Sequence, residues 1–265
     1  MLNSTQYAII KKDVRTIIFN KRLFPILLII PFMFSIVLPI IFVCIAIFTP
    51  DSSEDFRQLI SLVTTLESTQ DIRQVVLNLM INSILPVFFI LIPVMAASVM
   101  AASSFVGEKE KRTLETLLYS PITLRQIFQS KILASLSLSM IVTFTSFVVM
   151  TIVLQLILMF LNNSNIPLNL VNWIIILLFL APSVSLLSIT LIVNGSAKSQ
   201  TVEESQQRSA FIIIPIILLL IGQFTGILLV NALLLIVLAI VFLLLALLLM
   251  KKAEKKFTYE VLLKQ

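Results

Sequence analysis

Histidine is missing from this chain, and cysteine occurs once, as Cys44 inside an apolar run. Those two counts exclude a disulfide framework and a zinc site. They also exclude Ser-His-Asp and Cys-His catalytic sets, which need an imidazole. Charge is scarce too: 12% of the 265 residues are charged, against about 25% in a typical soluble domain. A water-facing globular surface cannot be built from so few. No GxxxxGK[ST] loop occurs, so the chain does not hydrolyse ATP by that route.

What replaces the missing charge is long apolar sequence. Hydrophobic residues make up 59% of the chain. Four blocks carry no charge at all: Leu23–Pro50, Gln74–Gly107, Ile132–Ala197 and Ser209–Met250. A membrane-crossing helix needs about 20 such residues. The first two blocks hold one crossing each. The third holds two, divided by the turn-forming cluster "NNSNIPLN" (Asn162–Asn169), and the fourth is long enough for two. The expectation is an all-α integral membrane protein with six transmembrane helices. Its spans fall near residues 23–48, 83–105, 132–161, 170–193, 210–230 and 232–250. The first exceeds the roughly 7–15 residues of a signal h-region and is expected to be retained. The turn between the last two spans stays open. A turn at "GQFTG" (Gly222–Gly226) leaves the fifth span short, whereas one at Asn231 leaves almost no loop.

Orientation follows from the basic residues. Alternating loops leave only Arg57 and Arg73 of the 19 Lys and Arg on one side. The others gather in residues 1–22, 107–131, 195–209 and 251–265, so both termini are expected to be cytoplasmic. The net charge of +6 is a membrane-topology signal, and no nucleic-acid partner is expected. The spans contain no Asp, Glu, Lys or Arg, which argues against ion- or proton-coupled transport. Their Ser and Thr residues suit hydrogen bonding between helices. An active transporter built this way needs a partner as its energy source.

The polar segments carry the remaining information. Tyr7, Ile10, Val14, Ile17 and Ile18 have helical spacing with Lys11, Lys12 and Arg15 on other faces. Residues 1–22 are therefore expected to form an amphipathic helix along the inner membrane surface. In the outer loop, Phe56, Leu59, Ile60, Val63 and Leu66 suggest a small helical element. In residues 195–209, Thr201 and Glu204 form a capping-box pattern at the start of a short helix. The densest charge is in "GEKEKRTLETLLYSP" (Gly107–Pro121). Glu108–Arg112 and Lys111–Glu115 are i,i+4 pairs, each contributing about 0.2–0.5 kcal/mol, and Leu114, Leu117 and Leu118 line one face. Ser120-Pro121 breaks that helix. Pro121 suits a first helical position, with Ser120 or Thr123 as N-cap, and a second helix leads through Arg125 and Lys131 into the third span. Such a segment either skims the lipid surface or docks on a soluble partner.

"GEKEKRTLETLLYSPITLRQIFQSKIL" (Gly107–Leu133) resembles the cytoplasmic signature of type-2 ABC transporter permeases, the membrane subunits of ATP-binding-cassette exporters. Glu108, Glu110, Arg112, Thr113, Leu114, Glu115, Leu117, Leu118, Pro121 and Lys131 match it position by position. The six-span layout, the N-terminal helix and the second cytoplasmic loop with Glu203, Glu204, Gln206 and Gln207 resemble the family as well. The resemblance implies that residues 107–131 hold a coupling helix seated on a separate ATPase, with the second loop as a further contact. It also implies a second permease subunit, identical or paralogous, and two ATPase copies. ATP and magnesium would sit on the ATPase, with no cofactor and no catalysis on this chain. A peptide, bacteriocin or other amphipathic compound would be the cargo, and a bacterial plasma membrane is the expected location. A membrane immunity, sensor or interaction protein that works without an ATPase is the alternative.

Overall fold

The computed structural model describes residues 4–21, 23–48, 72–110, 123–160, 168–196, 201–224 and 231–256. Among them the fold is all helix. The helices are α1 (Ser4–Ile18), α2 (Leu23–Phe48), α3 (Ile72–Leu79), α4 (Leu85–Phe89) and α5 (Leu91–Glu110). They continue with α6 (Leu124–Phe160), α7 (Leu170–Ile175), α8 (Ala181–Ser196), α9 (Val202–Ser209), α10 (Ile213–Phe224) and α11 (Ala232–Lys256). Six stretches are long and apolar enough to cross a membrane, so this is a multi-pass membrane protein. The outer-loop element at Phe56–Leu66 and the Ser120-Pro121 break lie outside the described residues.

Three of the crossings are assembled from pieces, and in two of them proline is the reason. Pro86 and Pro182 each lack a backbone N–H, and each ring crowds the carbonyl four residues back. A π-helical turn stands just before each of them, Met80–Ile84 before Pro86 and Ile176–Leu180 before Pro182. Such a wider turn gives that carbonyl room. A 3₁₀ turn, Ala210–Ile212, joins α9 to α10. The 12 residues of α10 span about 18 Å, short of the roughly 30 Å hydrocarbon layer.

The outer surface, unlike that of a soluble protein, is apolar. The exposed residues of α6 include Ile141, Phe144, Val148, Ile152 and Leu156, a helical stripe of large apolar side chains. Buried among large apolar side chains are small and hydroxylated residues: Ala96, Ala97, Ala101 and Ala102 of α5, with Ser183, Ser185, Ser188 and Thr190 of α8. Lipid is as apolar as leucine, so close backbone approach and hydrogen bonds must hold the helices together. The Ser139 and Ser185 hydroxyls lie 3.2 Å apart. Ser188 Oγ donates to the Val94 carbonyl at 3.3 Å, and Asn194 Nδ2 to that of Leu249 at 3.1 Å. In the half of the bundle away from α1, Trp173 stands edge-on to Phe89 with centroids 5.3 Å apart, and Phe147 lies 5.3 Å from the same indole.

α5 and α8 form the centre of the bundle. α6 packs on α5, α2 packs on α6, and α11 covers α8 from the other side. α1 rests on α6, while α9 touches both α5 and α8. α9 starts where Thr201 Oγ1 accepts the Glu204 N–H at 3.2 Å. α6 starts at Leu124 because Thr123 and Gln126 cap it reciprocally: Thr123 Oγ1 accepts the Gln126 N–H at 3.3 Å, and Gln126 Oε1 accepts the Thr123 N–H at 3.2 Å.

Gly107 lies inside α5, three residues before its end. A Cβ added there meets Val202 Cγ2 at 3.7 Å and Ser103 Oγ at 3.8 Å, both ordinary contacts. Gly107→Ala is therefore expected to raise stability by about 0.5–1 kcal/mol, the usual gain in a helix interior. Thermal unfolding of the detergent-solubilised chain checks this. A lower melting temperature would mean that α9 approaches α5 more tightly than these distances indicate.

Candidate functional site

The charges nearest the apolar core meet at one end of the bundle, where α1, α5 and α6 converge. Lys131 on α6 is buried, and its ammonium donates to Glu108 Oε2 at 2.6 Å. It also donates to the Ser104 carbonyl and lies 3.9 Å from Asp13 Oδ2. Ser104 Oγ donates to that same Asp13 oxygen at 2.7 Å. The other Glu108 oxygen, Oε1, accepts from Lys12 at 3.3 Å. The Phe105 ring stands 5.6 Å from the Lys131 nitrogen, and Phe128 meets Phe105 edge-on at 5.9 Å.

Two cations thus face two carboxylates across three helices. A buried ammonium without partners would cost several kcal/mol, so Lys131 requires both α5 and α1 beside it. Glu108 ties α5 to α6 through one oxygen and to α1 through the other. Glu108 stands near the start of residues 107–131 and Lys131 at their end, so the pair brings the two ends of that stretch together. Among the described residues no group of His, Cys, Asp or Glu is placed to hold a metal. The contacts tie α1, α5 and α6 to one another at this end of the bundle.

Burial pushes the Asp13 carboxyl above its ordinary value. The Lys131 ammonium and the Ser104 hydroxyl oppose that rise, Glu108 adds to it, and Lys12 opposes it.

The sequence-derived site residues divide into three groups. Glu108 is in the cluster. Glu110 ends α5 exposed, Glu203 and Glu204 are exposed in the first turn of α9, Gln206 is half-buried, and Gln207 is exposed. Arg112, Thr113, Leu114, Glu115, Leu117, Leu118 and Pro121 lie outside the described residues. Sequence reasoning did not single out Asp13 or Ser104, and it gave Lys131 no charge partner. A signal existed: Asp13 is the sole acid of residues 1–22, and Lys131 is the last charge before a long uncharged run.

Of the apolar stripe expected on α1, Ile10 and Val14 are half-buried and Ile17 is buried. Gln6, Ile9, Asp13 and Ile17 are buried, while Tyr7 and Ile18 are exposed. At 100° per residue, the centre of the buried face is about a quarter-turn from the centre of the stripe of Tyr7, Ile10, Val14, Ile17 and Ile18, and the two share Ile17.

A bundle of six apolar crossings with an ion cluster at one end defines a membrane component rather than a soluble enzyme. The family model described as "ABC-2 family transporter protein" matches residues 7–229, and the chain belongs to that family. The matched region includes the whole cluster and stops short of α11. Nothing matches the chain among curated proteins or among solved structures.

Lys131→Met leaves two carboxylates short of their buried cation and is expected to destabilise the fold by about 3–5 kcal/mol. Glu108→Gln, at a partly exposed site where Lys131 keeps Asp13 and the Ser104 carbonyl, is expected to cost less, about 1–3 kcal/mol. Melting curves of the two variants beside the parent test the ranking. A Lys131→Met protein that melts like the parent would remove the cluster from any structural role.

A pH dependence follows from Asp13. Its carboxyl holds a proton more tightly folded than unfolded, so its contribution to stability is full below the ordinary carboxylate range. That contribution is lost as pH rises from there through the raised folded value. Asp13→Asn has no such titration. The melting difference between parent and Asp13→Asn should shift against the parent across that window, and a difference constant with pH would contradict it.

Proposed function

We propose that this chain is the permease subunit of an ATP-driven ABC exporter, coupled through residues 107–131 to a separate ATPase. The observation that carries the reading is the Glu108–Lys131 pair at 2.6 Å, which clasps the two ends of the charged segment. A push delivered to residues between them reaches α5 and α6 together, and α1 follows through Asp13 and Lys12. Membership of the ABC-2 transporter family supports the same reading. So does the lack of a phosphate-binding loop and of charges in the spans, which leaves energy supply to a partner.

In this reading both termini and the cluster are cytoplasmic, on the side carrying all basic residues but Arg57 and Arg73. Two ATPase copies bind ATP and magnesium, and this chain binds no cofactor. Glu110 and the rest of the charged segment, Arg112, Thr113, Leu114, Glu115, Leu117, Leu118 and Pro121, meet the ATPase, with Glu203, Glu204, Gln206 and Gln207 of α9 beside them. A second permease copy, identical or paralogous, completes the path. A peptide, bacteriocin or other amphipathic compound is the cargo, and a bacterial plasma membrane the setting.

The test leaves the cluster intact. Glu110→Lys combined with Glu115→Lys, with Glu108 kept, should weaken co-purification with the ATPase about tenfold, the equivalent of 1.4 kcal/mol. Transport should fall with it while melting stays at the parent value. Undiminished ATPase binding by this folded variant would overturn the coupling assignment.

A further inference from the structure

The outward side of α1 has two zones. Tyr7, Ile18 and Phe19 are 63%, 39% and 72% exposed, so apolar surface is left uncovered by the bundle. Lys11 and Arg15 form an exposed row one turn apart directly beside Tyr7 and Ile18. The Arg15 guanidinium stands 5.4 Å over the Phe19 ring. Lys21, exposed in the turn after α1, continues the cations to the start of the apolar crossing Phe24–Phe48. Asp13, the one acid of residues 4–21, is turned inward, and Lys12 is the cation that pairs with Glu108. Lys11, Arg15 and Lys21 form no ion pair among the described residues.

The height of α1 in the bundle decides what this face meets. The 37 residues of α6 run about 55 Å, well beyond a 30 Å hydrocarbon layer, so its start stands outside that layer. α1 lies along this start. Asp13 is level with Lys131, and Ile17 shares a buried cluster with Leu27 and Leu138, where α2 and α6 enter their apolar stretches. The row from Lys11 to Lys21 therefore spans the depth of the headgroups, with its apolar neighbours toward the acyl boundary.

We infer that the outward face of α1 binds anionic phospholipid headgroups of the leaflet on its side, with Lys11, Arg15 and Lys21 as the phosphate-facing cations. The chemistry is complementary: three cations that form no ion pair among the described residues meet a negatively charged surface, and a neighbouring apolar strip takes the boundary region. A soluble acidic protein would match the cations but would leave Tyr7 and Ile18 facing lipid it does not supply. The inference does not depend on the ATPase.

Native mass spectrometry of the delipidated full chain, titrated with phosphatidylglycerol or phosphatidylcholine, tests it. The parent should retain phosphatidylglycerol in preference. Each cation near a charged surface is worth about fivefold, so Lys11→Gln/Arg15→Gln/Lys21→Gln should lose roughly a hundredfold of that preference. Arg15→Gln alone should lose about fivefold and guards against misfolding of the triple variant. The charge-keeping Lys11→Arg/Arg15→Lys/Lys21→Arg should retain binding, as should Lys251→Gln/Lys252→Gln at the far end of α11. Equal retention of both lipids by the parent would overturn the proposal. So would full retention by the folded triple variant, or an equal loss from the α11 variant, which would indicate a general charge effect. Displacement by millimolar inorganic phosphate would also overturn it, indicating a free-anion site.

Discussion

One buried ammonium organises an entire end of this molecule. Lys131 stands at the point where α6 passes from water into the apolar bundle, and an unpartnered cation there is unfavourable by several kcal/mol. The carboxylates that relieve it come from two other helices, Glu108 from α5 and Asp13 from α1. Requiring both fixes the rotation of α1, the length by which α5 projects, and the level at which α6 begins. Ser104 finishes the arrangement by giving Lys131 a carbonyl and Asp13 a hydroxyl. The cluster is electrically balanced, with Lys12 and Lys131 facing Asp13 and Glu108.

Away from that end, the interior is held by a different means. α5 and α8 meet through alanines and hydroxyls, where packing distance and a few interhelical hydrogen bonds replace hydrophobic exclusion. The bundle therefore has a stiff, ion-bound base and a neutral middle. For a transporter this division separates tasks. The base keeps the charged segment attached to the spans, and the middle has no strong pairs to break when helices move against one another.

How much of this could be read beforehand depends on which solvent set the pattern. The six crossings were legible because hydrocarbon tolerates no charge for about 20 residues, and uncharged runs are visible in a sequence. Helix ends were less so. The uncharged runs stop at Gly107 and begin again at Ile132, yet α5 runs to Glu110 and α6 starts at Leu124, since a helix continues into water wherever caps such as Thr123 and Gln126 allow. The apolar stripe of α1 was legible, but the buried side beside it was not, for a physical reason. In a membrane protein an apolar stripe can face lipid as readily as protein, so Tyr7 and Ile18 point outward while Asp13 is buried. Of the candidate site, Glu108 was singled out, but its partners come from positions 12 and 131, and no local spacing rule links them. The π turns were equally invisible, being answers to Pro86 and Pro182 that periodicity does not encode.

The chain order of the cluster has a consequence for how the protein is made. Synthesis runs from the N-terminus, so Asp13 and Glu108 both leave the ribosome before Lys131 does. The two acids lie outside the hydrocarbon and can wait in water at no great cost. When the long α6 finally threads into the bilayer, its buried cation arrives where both counter-charges already stand. A chain with the charges reversed in order would have to lodge a lone ammonium at the membrane edge and hold it there until later helices were born.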